Sequence, residues 1–335
     1  RVFVFQPDGP FRVYDYPNLS SGYYTGVGKS QGFMSKDGSR VVTLDSSAGI
    51  HSYDIPKASP VGVVNLEKLP RFQGPNLWFW DRFTILALSF DGKVMLIKHT
   101  DIIIVITWNG VGYATIDATP PNENNKIVMP SPLGNHYNKG DISRDGTYVI
   151  VGGYGASGAP VKTFKWDPSA ETYNEYGGTT LYAVNNADSI SINQNGDKVV
   201  IGTNTNTSQI YTLADGTWNR RTTVSGTSGE GKVGCVRVAN DGRAFATASD
   251  SRITFFGDFT NKQYPVGWTQ RGNTVSIPSY VKSIALSDDG NYLIAGLYKE
   301  TTTFLAGIQA NAGKVRVYGL SGSTWSQRGA DIEYD

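Results

Sequence analysis

Residues 279–296 read SYVKSIALSDDGNYLIAG: an apolar-alternating run, a tight turn at Asp289-Gly290 and a second apolar run. Five more copies align on the turn, giving Asp37-Gly38, Asp91-Gly92, Asp145-Gly146, Asn195-Gly196, Asp241-Gly242 and Asp289-Gly290 at spacings of 54, 54, 50, 46 and 48 residues. A recurring period of this size marks a repeat architecture. An apolar residue stands three places before each turn (Met34, Leu88, Ile142, Ile192, Val238, Leu286), and another four places after its first residue (Val41, Met95, Val149, Val199, Phe245, Leu293). The register is therefore kept through all six units. Asx-Gly suits a two-residue hairpin, which needs positive φ; Gly adopts it freely and Asn or Asp tolerates it. Ser35, Ser89, Ser143 and Ser287, two residues before their aspartates, are read as turn formers whose hydroxyls bond the turn backbone.

Composition agrees with a chain of short strands. Of 335 residues 39 are Gly and 19 are Tyr, aromatics make up 12%, and only three are Met. Almost no helix is expected. The net charge of +1 gives no global field to draw in nucleic acid or an anionic membrane. The most apolar run, 102–106, falls far short of the roughly 20 residues a membrane helix needs. The first residues carry no signal-peptide pattern, so the chain is expected to be soluble. The single cysteine, Cys235, excludes an internal disulfide and is expected to be a buried, inert thiol; it leaves the compartment open.

In chain order, residues 1–16 form a hairpin matching the trailing half of a unit, so the numbering begins in mid-repeat. Trailing strands follow at 161–166, 209–213, 252–256 and 314–318. The stretch 56–82 is the least repeat-like and is read as an insertion. Trp268-Thr269-Gln270-Arg271-Gly272 and Trp325-Ser326-Gln327-Arg328-Gly329 are near copies, with Trp218 in a weaker third. Aromatics recurring once per unit are expected to seal one repeat against the next. Four strands per repeat without a helical crossover imply an all-β fold, a β-propeller of four-stranded blades. One domain over 1–335 is expected, with seven blade positions and six as the alternative.

The segments KSIALSDDGNYLIAG and GKVRVYGLSGSTWSQRGADI resemble a propeller repeat built of a Ser-x-Asp-Gly hairpin, a Val-Arg-Val-Tyr strand and a Trp-x-Gln-x-Gly-x-Asp-Ile closing segment. Such units are found in large surface or secreted proteins of bacteria and algae, and of some large DNA viruses of algae. Integrin-type and WD-type propellers are similar in general form only. The resemblance is strong over 275–335, moderate over 137–275 and weak before. It implies the fold and a display role, and carries over no catalytic residues.

Catalytic and metal patterns are missing from the sequence. Calcium-loading loops place alternate carboxylates on one cation, whereas Lys36, Phe90, Arg144, Gln194, Asn240 and Asp288 precede the turns here. Ala214-Asp215-Gly216-Thr217-Trp218 approaches a sialidase box with the wrong Asp–Gly spacing and reads as a hairpin turn. No Gly-x-Ser-x-Gly elbow or phosphate loop occurs. His51, His99 and His136 would need to converge to hold a metal. The glycan acceptor triplets at Asn18 and Asn206 are of a kind that arises by chance.

The function expected is therefore a non-enzymatic module, without cofactor or metal, that binds protein or glycan and neither nucleic acid nor membrane. An extracellular, cell-surface or virion setting is favoured; oligomeric state and partner identity stay open. The alternative is a glycan-processing or lactonase-type enzyme acting at the central channel. Candidate partner-binding residues lie in loops leading into the first strands and in the insertion: Tyr23, Tyr24, Arg71, Phe72, Trp78, Trp80, Arg82, His136, Tyr137 and Tyr280. Exposed aromatics with amides and few charges suit such contacts. Trp78 and Trp80 read equally well as rings capping the core where the insertion folds back.

Overall fold

The computed structural model describes residues 2–4, 12–14, 31–35, 39–45, 49–54, 60–64, 83–99, 102–108, 113–114, 126–128, 137–153, 159–170, 172–178, 181–183, 186–225, 233–257, 268–277, 280–298 and 314–333. Every regular element among them is a β-strand, and every strand pairing given is antiparallel. A hairpin of β1 (Val2–Val4) and β2 (Arg12–Tyr14) comes first, as residues 1–16 predict. The first sheet joins β3 (Gln31–Met34), β4 (Arg40–Asp45), β5 (Gly49–Asp54) and β6 (Pro60–Val64) in that order. Its fourth strand falls inside the expected insertion 56–82, so residues 60–64 of that stretch are regular.

The second sheet holds β7 (Phe83–Leu88), β8 (Val94–His99), β9 (Ile102–Trp108), β10 (Tyr113–Ala114) and β11 (Lys126–Val128). The third holds β12 (Tyr137–Ile142), β13 (Tyr148–Gly153), β14 (Ala159–Asp167), β15 (Thr172–Glu175) and β16 (Leu181–Ala183). The fourth is β17 (Ala187–Ile192), β18 (Lys198–Thr203), β19 (Thr207–Ala214) and β20 (Thr217–Ser225). The fifth is β21 (Cys235–Val238), β22 (Ala244–Ala248), β23 (Arg252–Gly257), β24 (Thr269–Gln270) and β25 (Val275–Ser276). The sixth is β26 (Tyr280–Leu286), β27 (Tyr292–Tyr298), β28 (Lys314–Ser321), β29 (Thr324–Gln327) and β30 (Ile332–Glu333).

Four of these sheets divide the outer position between two short strands, a feature absent from the sequence expectation. In the fifth, β24 pairs with Phe256 and Gly257 of β23 while β25 pairs with Arg252 and Ile253. Between them runs the Gln-x-Gly loop, where Gln270 Nε2 donates to the Gly272 carbonyl (2.9 Å), just as Gln327 Nε2 donates to that of Gly329 (3.1 Å).

The repeated turns differ from the two-residue hairpin in one respect. Gly92, Gly196, Gly242 and Gly290 have φ of +66 to +69°, but their Asx partners do not share the left-handed region. Instead Ser89 and Val94 close a longer loop: the Gly92 N–H reaches the Ser89 carbonyl (3.1 Å), and the Val94 N–H reaches Ser89 Oγ (2.9 Å). The serine hydroxyl and the Asp91 carboxylate bond the loop's own backbone, which favours this wider turn. Ser35, Ser143 and Ser287 accept the equivalent N–H of Arg40, Tyr148 and Tyr292 at 2.9 Å, and Asn193 replaces them in the fourth sheet. The two-residue geometry does occur at Asp215-Gly216, where both residues are left-handed and Ala214 faces Thr217.

The chain divides into two compact units. One comprises Arg1–Asn135, Arg144–Gly146 and Trp166–Asn174. Its described core includes Val42, Ile85, Met95, Leu96, Ile97, Ile103 and Ile106. There the Arg144 guanidinium lies 3.6 Å from the Phe90 ring centroid, and the Phe90 N–H bonds the Arg144 carbonyl (2.9 Å).

The other unit comprises His136–Ser143, Thr147–Lys165 and Glu175–Asp335. Within it, β18 and β22 are buried on both faces because a sheet packs on either side of each. Fully burying a Val or Ile side chain in such a layer contributes about 1.5–3 kcal/mol. The wedges between layers are aromatic. Trp218 packs with Ile150 and Ile190, Trp268 with Val200, Ile210 and Phe245, and Trp325 stacks on Phe255 with ring centroids 3.6 Å apart.

Candidate interaction site

Among the described residues, the first strand of each sheet pairs on one side only, so the backbone N–H and C=O groups of its far edge need other partners. Side chains from the preceding sheet supply them. The Val236 N–H donates to Ser189 Oγ (3.0 Å) and the Val238 N–H to Ser191 Oγ (3.2 Å). Ser191 Oγ in turn donates to Asp141 Oδ2 (2.8 Å), which also accepts the Ile192 N–H (3.0 Å). One relay thus runs from β21 through β17 to β12, with Asp141 and Ser191 both buried.

Cys235 takes the place of serine at the next joint. Its thiol donates to the Lys282 carbonyl at 3.0 Å, and the Ile284 N–H bonds back to it. Burial pushes this thiol above its ordinary pKa, against the pull of Arg237, Lys139 and Lys282. It is a buried, protonated donor, in keeping with the inert thiol expected. The positions in play form two columns of the repeat, Lys139/Ser189/Cys235/Ser283 and Asp141/Ser191/Arg237/Ala285. Sequence reasoning passed over them; stacking the units column by column shows serine or cysteine at the first of these columns in three consecutive units, Ser189, Cys235 and Ser283.

The loops beside these strands are latched sheet to sheet. The Val233 N–H reaches the Thr203 carbonyl (2.9 Å) and the Val281 N–H that of Asp250 (3.1 Å), so the ends of the second strands in the fourth and fifth sheets receive the start of the next first strand. In β12, β17 and β26 the ladder skips Asn138, Asp188 and Lys282, bulges that re-aim the side chains there. Asp188 is buried, whereas Asn204 and Asp250 are exposed.

Among the predicted site residues, Tyr280 opens β26 opposite Tyr298 with 55% of its surface exposed. Tyr137 opens β12, its backbone paired with Gly153. Tyr23, Tyr24, Arg71, Phe72, Trp78, Trp80, Arg82 and His136 lie outside the described residues. His51 sits in β5 opposite Thr43 and Val63, and His99 ends β8 opposite Phe83 and Ile102. No group of three His, Cys, Asp or Glu side chains fit to hold a metal occurs among the described residues.

No family model and no curated protein matches the chain. Solved structures do. The β-propeller domain of Myceliophteria thermophila Cps50 (Swd1) superposes with a TM-score of 0.57 at 11% identity, over 90% of this chain and 84% of that one. A functionally unknown protein from Desulfotomaculum acetoxidans gives 0.58 at 11% identity over 90% and 87%. A candidate 6-phosphogluconolactonase from Bacteroides uniformis gives 0.59 at 14% identity over 91% and 85%. The fold is a β-propeller. Propeller architecture explains why Ser189, Ser191 and Asp141 recur as bridges: radially arranged sheets bring their first strands side by side without pairing them.

Proposed function

We propose that this chain is a non-enzymatic interaction module that holds protein or glycan partners through the loops leading into its first strands and through the stretch 56–82. The reading extends to seven blade positions and to display in a surface, secreted or virion assembly. One observation carries it. Four buried polar side chains of the described first strands, where a channel enzyme would hold its acid and base, are engaged by backbone: Asp141, Ser189, Ser191 and Cys235 bond amides or a carbonyl of neighbouring strands, while the buried Asp188 stands apart from this set. Exposed groups such as Tyr280 and the turn at Asn204 are left to meet a partner. Fold alone decides nothing here, since propellers host many activities.

The test is affinity capture from the native source, with the Trp78→Ala/Trp80→Ala double variant alongside. Two aromatic anchors beside an arginine fit the composition of interface hot spots, and their loss is expected to weaken partner binding by about 2 kcal/mol or more with little change in stability. A large fall in melting temperature would instead make the rings core. Lactone or glycoside hydrolysis by the purified chain would overturn the reading in favour of an enzyme.

A further inference from the structure

Two cations on the first strands of the second unit have no acid to answer them. Lys139 on β12 and Arg237 on β21 are both half-buried. The ion pairs of the described residues lie elsewhere, joining Lys93 to Asp91, Lys162 to Glu175, Lys198 to Asp197, and Lys314 and Arg316 to Asp331. Two carboxylates share the first strands, and neither pairs with Lys139 or Arg237. Asp141 accepts from Ser191 Oγ and the Ile192 N–H, and Asp188 is buried in the bulge of β17. Arg237 donates from Nη1 to the carbonyl of Val236 on its own strand (3.0 Å), which leaves the rest of its fork without an acceptor among the described residues. Arginine cannot shed its charge to escape this setting.

The register brings these groups to one place. Lys139 holds the repeat position of Ser189 and Cys235 on the two following first strands, and Arg237 lies two residues beyond Cys235. The Cys235 thiol bonds the Lys282 carbonyl at 3.0 Å. Burial raises the pKa of that thiol, while Arg237, Lys139 and Lys282 all act against it, so three cations stand within electrostatic reach of one sulfur. On β17, between the strands of Lys139 and Arg237, Ser189 is only 9% exposed. Its Oγ accepts the Val236 N–H (3.0 Å), and among the described residues no acceptor takes its own proton. The cluster thus offers donors and positive charge in excess of acceptors.

We propose that Lys139, Ser189 and Arg237 form a binding site for a small oxyanion, the phosphate, sulfate or carboxylate group of a ligand, with the exposed Lys282 adding to the attracting field. The guanidinium fork meets two oxygens at once, Lys139 supplies a point charge, and the Ser189 hydroxyl gives a further bond. Like charges held between low-dielectric walls focus their field and concentrate anions locally. The chain's formal charge of +1 supplies no such attraction at large, so binding rests on this cluster. The site stands on strands, apart from the loops of the proposed function, and holds or fails independently of that reading.

The test titrates sodium phosphate, sulfate and acetate in turn into the whole chain by calorimetry, with chloride holding the ionic strength fixed. Saturable one-site binding of at least one of the three is expected, and which binds tightest identifies the group the site takes. Lys139→Met and Arg237→Met should each weaken it roughly tenfold or more, whereas Arg243→Met, at an exposed turn, should leave it unchanged. Should both variants fail to fold, amide chemical shifts of the parent decide: those moved by the bound anion should centre on Lys139, Ser189 and Arg237. Absence of saturable binding by all three anions overturns the proposal. So does binding that both folded variants retain at parental strength, or shifts centred elsewhere.

Discussion

Replacing Thr163 by Val isolates one joint between sheets. The Thr163 hydroxyl accepts the Trp218 indole N–H at 2.9 Å and donates to the Tyr176 carbonyl at 2.8 Å, with both side chains buried. Valine keeps the shape and removes both bonds. A buried donor left without an acceptor costs about 1–3 kcal/mol, and the lost bond to the carbonyl adds about 1 kcal/mol. The total, ~2–4 kcal/mol, is to be read as a shift in urea midpoint at unchanged slope, followed by tryptophan fluorescence. The next joint supplies an internal comparison. There Ile210 occupies the position of Thr163, and Trp268 Nε1 is buried with no hydrogen-bond partner. Adding Trp218→Phe to Thr163→Val removes the orphaned N–H, so the double variant should be less destabilised than the sum of the single ones, by about 1 kcal/mol or more. A Thr163→Val variant within about 0.5 kcal/mol of the parent would refute the reasoning.

Asp141→Ala removes the acceptor of both Ser191 Oγ and the Ile192 N–H; a loss of about 1.5–3 kcal/mol is expected, with faster hydrogen exchange at Ile192, and Asp141→Asn should lose less. Gly177→Ala and Gly329→Ala share the cost of a left-handed alanine, about 1–2 kcal/mol, but only the first drives a Cβ into Trp218, so its stability loss by urea titration should be clearly larger. Asp331 is held below the ordinary value of 3.8 by the two hydrogen bonds from Arg316 at 2.7 and 2.8 Å, with burial opposing and Gln327 assisting. The unfolded chain therefore takes up this proton first on acidification, so the stabilisation is complete above about pH 4 and is lost as pH falls through the folded value. Melting curves for the parent and Asp331→Asn should converge on going to lower pH.

The repeat, the strands and five of the turns were legible in the sequence because turn chemistry and period-two patterning act within a few residues; Asp37-Gly38 lies outside the described residues. Ser89-Phe90-Asp91-Gly92 declares its own loop, though not the wider closure that the serine hydroxyl imposes. The aromatic seals were legible too, since Trp218, Trp268 and Trp325 recur once per unit. What tertiary structure alone decided is the use of polar residues between sheets. Ser189 and Val236 are 47 residues apart, as are Ser191 and Val238, and nothing local requires Asp141 to answer an amide on the next sheet. The exposure of Ile294 is likewise invisible in YLIAG, because Ile150, Val200 and Ala246 hold the same register and are buried. An alternating strand encodes that it has two faces; only the arrival of a neighbouring sheet determines whether each is core or surface.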